Sequence, residues 1–295
     1  MRMLVTGAVG QLGSELVAAA RAAGHDVVAT ARDPRGAPGV ATLDVTDRDA
    51  VARAVDLARP AAILHAAAWT AVDDCESDPD RAHRANGEAT AHVVAAARAV
   101  GARVTYVSTD YVFDGTKPTP YLEGDAPAPR SVYGRSKLAG ERAVDPALDA
   151  TVRISWVCGA TGANMVKTIL RLADRPGPLR FVDDQRGHPT LADDAARMIV
   201  RLAGERRVGV WHVTNQGAVS WWEFAREVMR LAGHDASRVE PIATADLVPP
   251  RPAPRPANSV LDNAALRAAG IAPLDDFRVP LARLVAALRA PRSVG

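Results

Sequence analysis

The chain has 295 residues, 48% hydrophobic and 24% charged, with a net charge of +2; that is an ordinary globular balance, long enough for one large domain or two smaller ones. Arginines are interspersed with acids, so no basic face points to nucleic acid, and no apolar run is long enough to span a bilayer. The two cysteines, Cys75 and Cys158, have neither disulfide-framework nor metal-ligand spacing, and "MRMLVTGAVG" has no apolar signal-peptide core, so the expectation is a cytoplasmic protein without a metal site.

In chain order, "RMLVTG" reads as a buried strand, Gln11–Ala23 as a helix closed by Gly24, and "DVVATAR" as a second strand. A third strand covers Ala62–Ala66. Asp80–Val100 reads as one long helix closed by Gly101, followed by the strand "RVTYVSTD", a loop, the helix of "SVYGRSKLAGE" and the strand "DATVRISWV". Strands alternating with helices imply right-handed crossovers and a parallel sheet covered on both faces. After Gly159 the pattern loosens. Thr190–Ala203 is expected to be a helix capped by Thr190, with Asp193 at the capping-box spacing. "GVWHVTN" reads as a strand, and Ser220–Leu231 as a helix opened by a Ser220–Glu223 capping box. The proline-rich Pro249–Ala257 reads as a stiff loop.

The first strand and first helix are joined by "TGAVGQLG", which places Gly7, Gly10 and Gly13 in the turn. Glycines there allow a tight turn and close approach to a pyrophosphate, which the N–H groups of the helix start then hold. The spacing is GxxGxxG rather than the usual dinucleotide fingerprint, and no P-loop lysine follows. Arg32, at the end of the second strand, favours the 2′-phosphate of NADPH; Asp33 beside it suits the 2′-hydroxyl of NADH, so NADH stays open.

Tyr133 and Lys137 lie four residues apart, on one helix face. In water both are weak acids, with pKa values of about 10 and 10.4. An adjacent ammonium favours phenolate, so Lys137 is expected to lower the Tyr133 pKa and make it a general acid. Thr109 closes the "VSTD" strand at the carboxyl edge where open α/β sheets bind ligands, and its hydroxyl can join Tyr133 at a carbonyl oxygen that gains negative charge.

With these residues in place, the chain resembles the extended short-chain dehydrogenase/reductases, and within them the dTDP-4-dehydrorhamnose reductase family. The resemblance is carried across nearly the whole chain by "GAVGQLG", "AAAWTAVDDCE", "STDYVFDG", "VYGRSKLAGE", "RISWVCG", "DDQRGHPT" and "RPANSVLD". It implies an α/β, Rossmann-type doubly wound parallel sheet with a smaller, mostly C-terminal substrate domain. The Rossmann domain is expected over 1–158, with 189–215 returning to it; 159–188 and 216–295 form the substrate domain. The resemblance also implies NAD(P)H-dependent reduction of the C4 ketone of dTDP-4-dehydro-L-rhamnose. Thr109, Tyr133 and Lys137 would be catalytic. Gly7, Gly10, Gln11, Leu12 and Gly13 would cradle the cofactor phosphates, Asp44 and Val45 would face the adenine, and Ala66, Ala67 and Ala68 would line the cofactor further along. Lys137 would also hold the nicotinamide ribose. Tyr111 and Trp156 would lie near the sugar, with Asn164 and Arg255 on the sugar nucleotide. A homodimer is compatible with the family.

His65 and Met165 depart from the family pattern. His65 reads as a packed core residue, and both departures leave room for another dTDP-6-deoxysugar. A 4,6-dehydratase would need Asp-Glu after the threonine, where this chain has Asp110 and Tyr111. A non-catalytic nucleotide-binding regulatory subunit, like that of methionine adenosyltransferase, is the alternative from another class; the complete trio argues against it.

Overall fold

A computed structural model describes residues 1–290, so the end of the expected 216–295 segment lies outside the described residues. The chain builds β1 (Arg2–Thr6), α1 (Gln11–Ala22), β2 (Asp26–Ala31), β3 (Val40–Thr42), α2 (Arg48–Ala58) and β4 (Ala62–His65). Then come the short helices α3 (Val72–Ser77) and α4 (Pro79–His83), followed by α5 (Ala89–Ala99), β5 (Arg103–Thr109), α6 (Val132–Ala143) and β6 (Ala150–Ile154). With the later strand Gly209–His212 these form a seven-stranded sheet, ordered Gly209–His212, β6, β5, β4, β1, β2, β3. Every pairing is parallel.

Both faces of this sheet are covered, as an all-parallel sheet requires. Side chains alternate along β1, so Met3 and Val5 enter one core with Leu16 of α1 and with Ile199 and Leu202 of the helix Ala192–Gly204. Leu4 enters the opposite core with Val51 and Val55 of α2 and with Val93 and Ala97 of α5. A further core lies outside the sheet, where Ile169, Phe224, Val228, Met229, Phe277 and Leu281 pack together.

Three local expectations are corrected. Thr190 does not cap a helix: it pairs with Val157 in a two-residue strand, and its hydroxyl is directed to the His188 carbonyl. The helix starts at Ala192 without a side-chain cap, and Asp193 and Asp194 in its first turn favour the positive end of its dipole instead. The segment read as one helix over Asp80–Val100 begins at Pro79, with the Asp78 side chain accepting from Arg81 N, and is interrupted by a π-helical turn at Arg84–Glu88. The strand around "RISWV" breaks at Trp156, whose φ is +44°. By contrast, Ser220 and Glu223 form both bonds of a capping box.

Candidate active site

The strand order reverses between β1 and β4, and at such a switch point an open sheet leaves a crevice at its carboxyl ends. The glycine turn after β1 sits there. Gly7 has φ +71°, and a Cβ on it would lie 2.9 Å from Ala67 Cα, so the turn is pressed against the Ala66–Ala67 backbone after β4. A Cβ on Gly13 would lie 2.0 Å from the Gly7 carbonyl oxygen. The helix that follows has neither a side-chain cap nor an acid in its first turn, so the N–H groups at Gln11, Leu12 and Gly13 meet no competing side-chain acceptor. These features fit a dinucleotide pyrophosphate. The Gln11 side chain is occupied elsewhere, donating to the Val157 carbonyl at 2.8 Å.

Arg32 is exposed just past the end of β2. Asp44 and Val45 follow β3; the Asp44 carboxylate accepts from the Thr46 amide and hydroxyl, at 2.9 and 2.8 Å. His65, at the end of β4, is fully buried between the Thr6 and Thr90 hydroxyls, and burial holds its pKa down at about 3. It is a core residue, as read from the sequence.

Thr109 ends β5, and Tyr133 and Lys137 stand on the face of α6 that covers it. The Thr109 hydroxyl donates to Asp110 Oδ1 at 3.0 Å and accepts from the Tyr111 amide at 3.2 Å. Lys137 Nζ donates to the Val107 carbonyl at 2.7 Å and lies 4.2 Å from the centre of the Tyr106 ring. Tyr111 packs edge-on against Tyr133, with ring centres 5.6 Å apart. All three trio residues are buried.

The expected electrostatics are reversed. Burial, which disfavours phenolate, pushes Tyr133 well above the usual tyrosine range, and the neighbouring Thr109 hydroxyl offsets only part of this. The same burial pulls the Lys137 ammonium down to about 7, although Glu141, one turn further on, favours its charge. Lysine therefore does not make the tyrosine acidic; desolvation dominates both groups.

Arg255 reaches the neighbourhood of Tyr111 from the proline-rich segment, held by two 2.8 Å bonds to the Asp73 carboxylate. Trp156 stacks on Trp221 at 3.5 Å, and its ring covers Gly187. Asn164 is an N-cap: its oxygen accepts from Lys167 N, and its amide hydrogens go to Gln11 Oε1 and the Gly159 carbonyl. It therefore has no uncommitted amide hydrogen for the expected sugar-nucleotide contact.

Two supporting residues escape the sequence reading. Asp73 fixes Arg255. Asn86, in the π-helical turn, accepts from the Trp69 amide and donates to the Trp69 carbonyl and to Ser136, tying the loop after β4 to α6. A cavity of about 650 Å³ lies between α1 and the helix Ala192–Gly204, and no residue of the trio lines it.

A doubly wound sheet, an open helix start behind a glycine turn, and a Thr–Tyr–Lys set at the carboxyl end of β5 define the extended short-chain dehydrogenase/reductase class. The RmlD substrate binding domain model matches residues 1–290, and the chain belongs to that family. It is 44% identical to a Streptomyces griseus dTDP-4-dehydrorhamnose reductase, over 99% of this chain and 96% of the relative. It is 38% identical to a Streptomyces niveus dTDP-4-keto-6-deoxy-D-glucose reductase, over 99% of each. The crystal structure of the dTDP-4-dehydrorhamnose reductase of Bacillus anthracis str. Ames in complex with NADP superposes with a TM-score of 0.88 at 35% identity, covering 97% of this chain and 99% of that one.

Proposed function

We propose that this protein reduces the C4 ketone of dTDP-4-dehydro-L-rhamnose to dTDP-L-rhamnose with NADPH. The observation that carries the reading is the convergence of Thr109 and Tyr133 beside Lys137, at the carboxyl end of β5, in a chain of this family. Gly7, Gly10, Gly13 and the N–H groups at Gln11 and Leu12 hold the pyrophosphate, with Ala66, Ala67 and Ala68 alongside. Arg32 meets the 2′-phosphate, and Asp44 and Val45 meet the adenine. When bound, the cofactor supplies the hydride.

Tyr133 then gives its proton to the C4 oxygen. Its raised pKa keeps it a neutral phenol, the form a general acid needs. Lys137 holds the nicotinamide ribose, and its charge, regained beside an alkoxide, stabilises that oxygen. Tyr111, Trp156 and Arg255 flank the sugar nucleotide. We assign the sheet domain to 1–158 with 189–215, and the substrate domain to 159–188 with 216–295. The core outside the sheet supports this division. The partner in this reading is a dTDP-sugar rather than nucleic acid or membrane, and two buried free thiols suit a cytoplasmic setting.

The test is NADPH oxidation with dTDP-4-dehydro-L-rhamnose, with the product identified by NMR. Tyr133→Phe is expected to lower turnover by roughly 10²–10⁴ while leaving cofactor affinity nearly unchanged; unaltered turnover removes Tyr133 from the chemistry. Lys137→Ala should weaken both turnover and cofactor binding, and wild-type affinity would contradict the ribose role. The Streptomyces niveus relative supports a second reading, 4-ketoreduction of another dTDP-6-deoxyhexose, which the same assay with other 4-keto sugars decides. Cofactor binding without reduction of any of them would indicate the regulatory alternative.

A further inference from the structure

Arg255 is fastened in a way that leaves one edge of its guanidinium for a ligand. Asp73 takes the end of the fork: its Oδ1 accepts from Nη1 and its Oδ2 from Nη2, both at 2.8 Å. The second Nη1 hydrogen goes to the Ala253 carbonyl, also at 2.8 Å. A guanidinium carries five N–H donors in fixed directions, and these bonds use three of them. The other two, one on Nε and one on Nη2, have no partner among the described residues and lie parallel along one side of the group. Such a parallel pair matches two oxygens of a phosphate or carboxylate. The side chain is 17% exposed, so it is not sealed from a ligand.

Its place in the fold suits a substrate anion. Asp73 belongs to α3, which follows the alanine loop after β4. The neighbouring Pro256 packs on Gly115, beyond the end of β5: a Cβ on Gly115 would lie 2.3 Å from Pro256 Cβ. Arg255 is therefore held between the segments that leave the carboxyl ends of β4 and β5. Five of the nine residues of Pro249–Ala257 are prolines, which have no N–H to anchor the segment. Of the four amides left, that of Ala253 also goes to Asp73 Oδ1, at 3.1 Å. One carboxylate thus fixes both the backbone and the guanidinium. Arg251 lies 3.6 Å from Asp73 Oδ2 but is exposed, a solvated pair of little weight. Glu76, the next acid but one on α3, is committed to the Val132 amide at 2.7 Å.

We propose that Asp73 is a positioning residue for sugar-nucleotide binding: it holds Arg255 so that the Nε–Nη2 edge grips the diphosphate. This deepens the ketone-reductase reading above and rests on it. The sign of the effect separates positioning from plain charge. A carboxylate near a bound diphosphate repels it, so on charge alone its removal tightens binding. Removing a positioning carboxylate does the reverse, because the ligand then has to order the arginine itself.

The experiment measures the affinity for dTDP, which carries the diphosphate without a ketone, by calorimetry on the NADPH-loaded protein. The wild type is compared with Asp73→Ala, Asp73→Asn, Arg255→Ala and the double variant Asp73→Ala with Arg255→Ala. NADPH affinity and the steady-state constants with dTDP-4-dehydro-L-rhamnose are read on the same proteins. Arg255→Ala is expected to raise the Kd for dTDP by about 10- to 100-fold, the loss of a charge-assisted fork. Asp73→Ala should raise it by about 3- to 10-fold. Asp73→Asn keeps the shape and one acceptor, and should act in the same direction but less. The double variant should bind dTDP no more weakly than Arg255→Ala, because without the arginine the carboxylate has nothing to position. KM for the sugar nucleotide should rise with Kd, kcat should move less, and NADPH affinity should stay at the wild-type value. The proposal is overturned if either Asp73 variant binds dTDP as tightly as the wild type or more tightly, or if the double variant binds it more weakly than Arg255→Ala. A matching fall in NADPH affinity, or a wild type that does not bind dTDP, overturns it as well. If dTDP binding responds as expected but no 4-keto sugar is reduced, the clamp stands and the reductase reading fails.

Discussion

Gly13 and Gly10 stand three residues apart in one turn, yet they answer to different constraints. A methyl group on Gly13 meets the backbone of Gly7 at 2.0 Å, so the turn itself must open; on Gly10 it meets only the Gly7 oxygen, at 3.1 Å. Gly13→Ala should therefore cost about 1–3 kcal/mol in urea unfolding and weaken NADPH binding, as overpacking does. Gly10→Ala should be milder on both counts, and equal effects would contradict this packing. The three glycines and the Tyr133–Lys137 pair are legible in sequence because their geometry is local, three or four residues apart. Asp73 and Asn86 are not: Asp73 meets Arg255 across 182 residues, and Asn86 meets Ser136 across 50. The upward shift of Tyr133 is invisible to spacing for a related reason. Spacing shows which groups are near one another but not how deeply they are buried, and here desolvation outweighs proximity.

At the scale of elements, the two capped helix starts expected after Gly159 differ. The Ser220–Glu223 box forms because Ser220 is extended, with φ −81° and ψ 167°, and its hydroxyl accepts from the Glu223 amide while donating to Asp183. Ser220→Ala should cost about 1 kcal/mol, read as a lower urea midpoint at unchanged slope. Thr190 has the same local signature, but strand pairing to Val157 takes its backbone first. Long-range pairing overrides a capping pattern, and nothing in the neighbouring residues announces it. The alternating elements of the first half were legible because a buried parallel sheet writes continuous apolar runs. The three-residue β3 is too short to carry a periodic signal, whereas Val51, Val55 and Ala58 of α2 and Val166, Ile169 and Ala173 of the helix Met165–Ala173 recur at helical spacing, a signal the sequence does carry.

For the molecule as a whole, buried histidines link stability to pH. Burial lowers His65 and His212 to about 3 and His188 to about 4, from an unfolded value of 6.5. Between those values the unfolded chain binds more protons than the folded one. Stability is therefore fully present above about 6.5 and is lost as pH falls toward 4. Asp110 works in the opposite sense, since its pKa is raised on folding. Near pH 5 unfolding should then take up a net of about two protons, a slope of about 2–3 kcal/mol per pH unit. Urea melts at pH 7, 6 and 5 would read this directly, and a midpoint that rises with acidification would refute it.

The π-helical turn carries a consequence for how such a chain can tolerate loss. A π turn holds one residue more than an α turn, which amounts to an insertion stored inside a helix. A lineage that dropped a single residue between Arg84 and Glu88 would let the winding become regular, with the helical segments on either side keeping their packed faces. The scaffold would survive. What would vanish is the bulge that aims Asn86 at Trp69 and Ser136, so shortening here would spare the architecture and uncouple the alanine loop from the tyrosine-bearing helix.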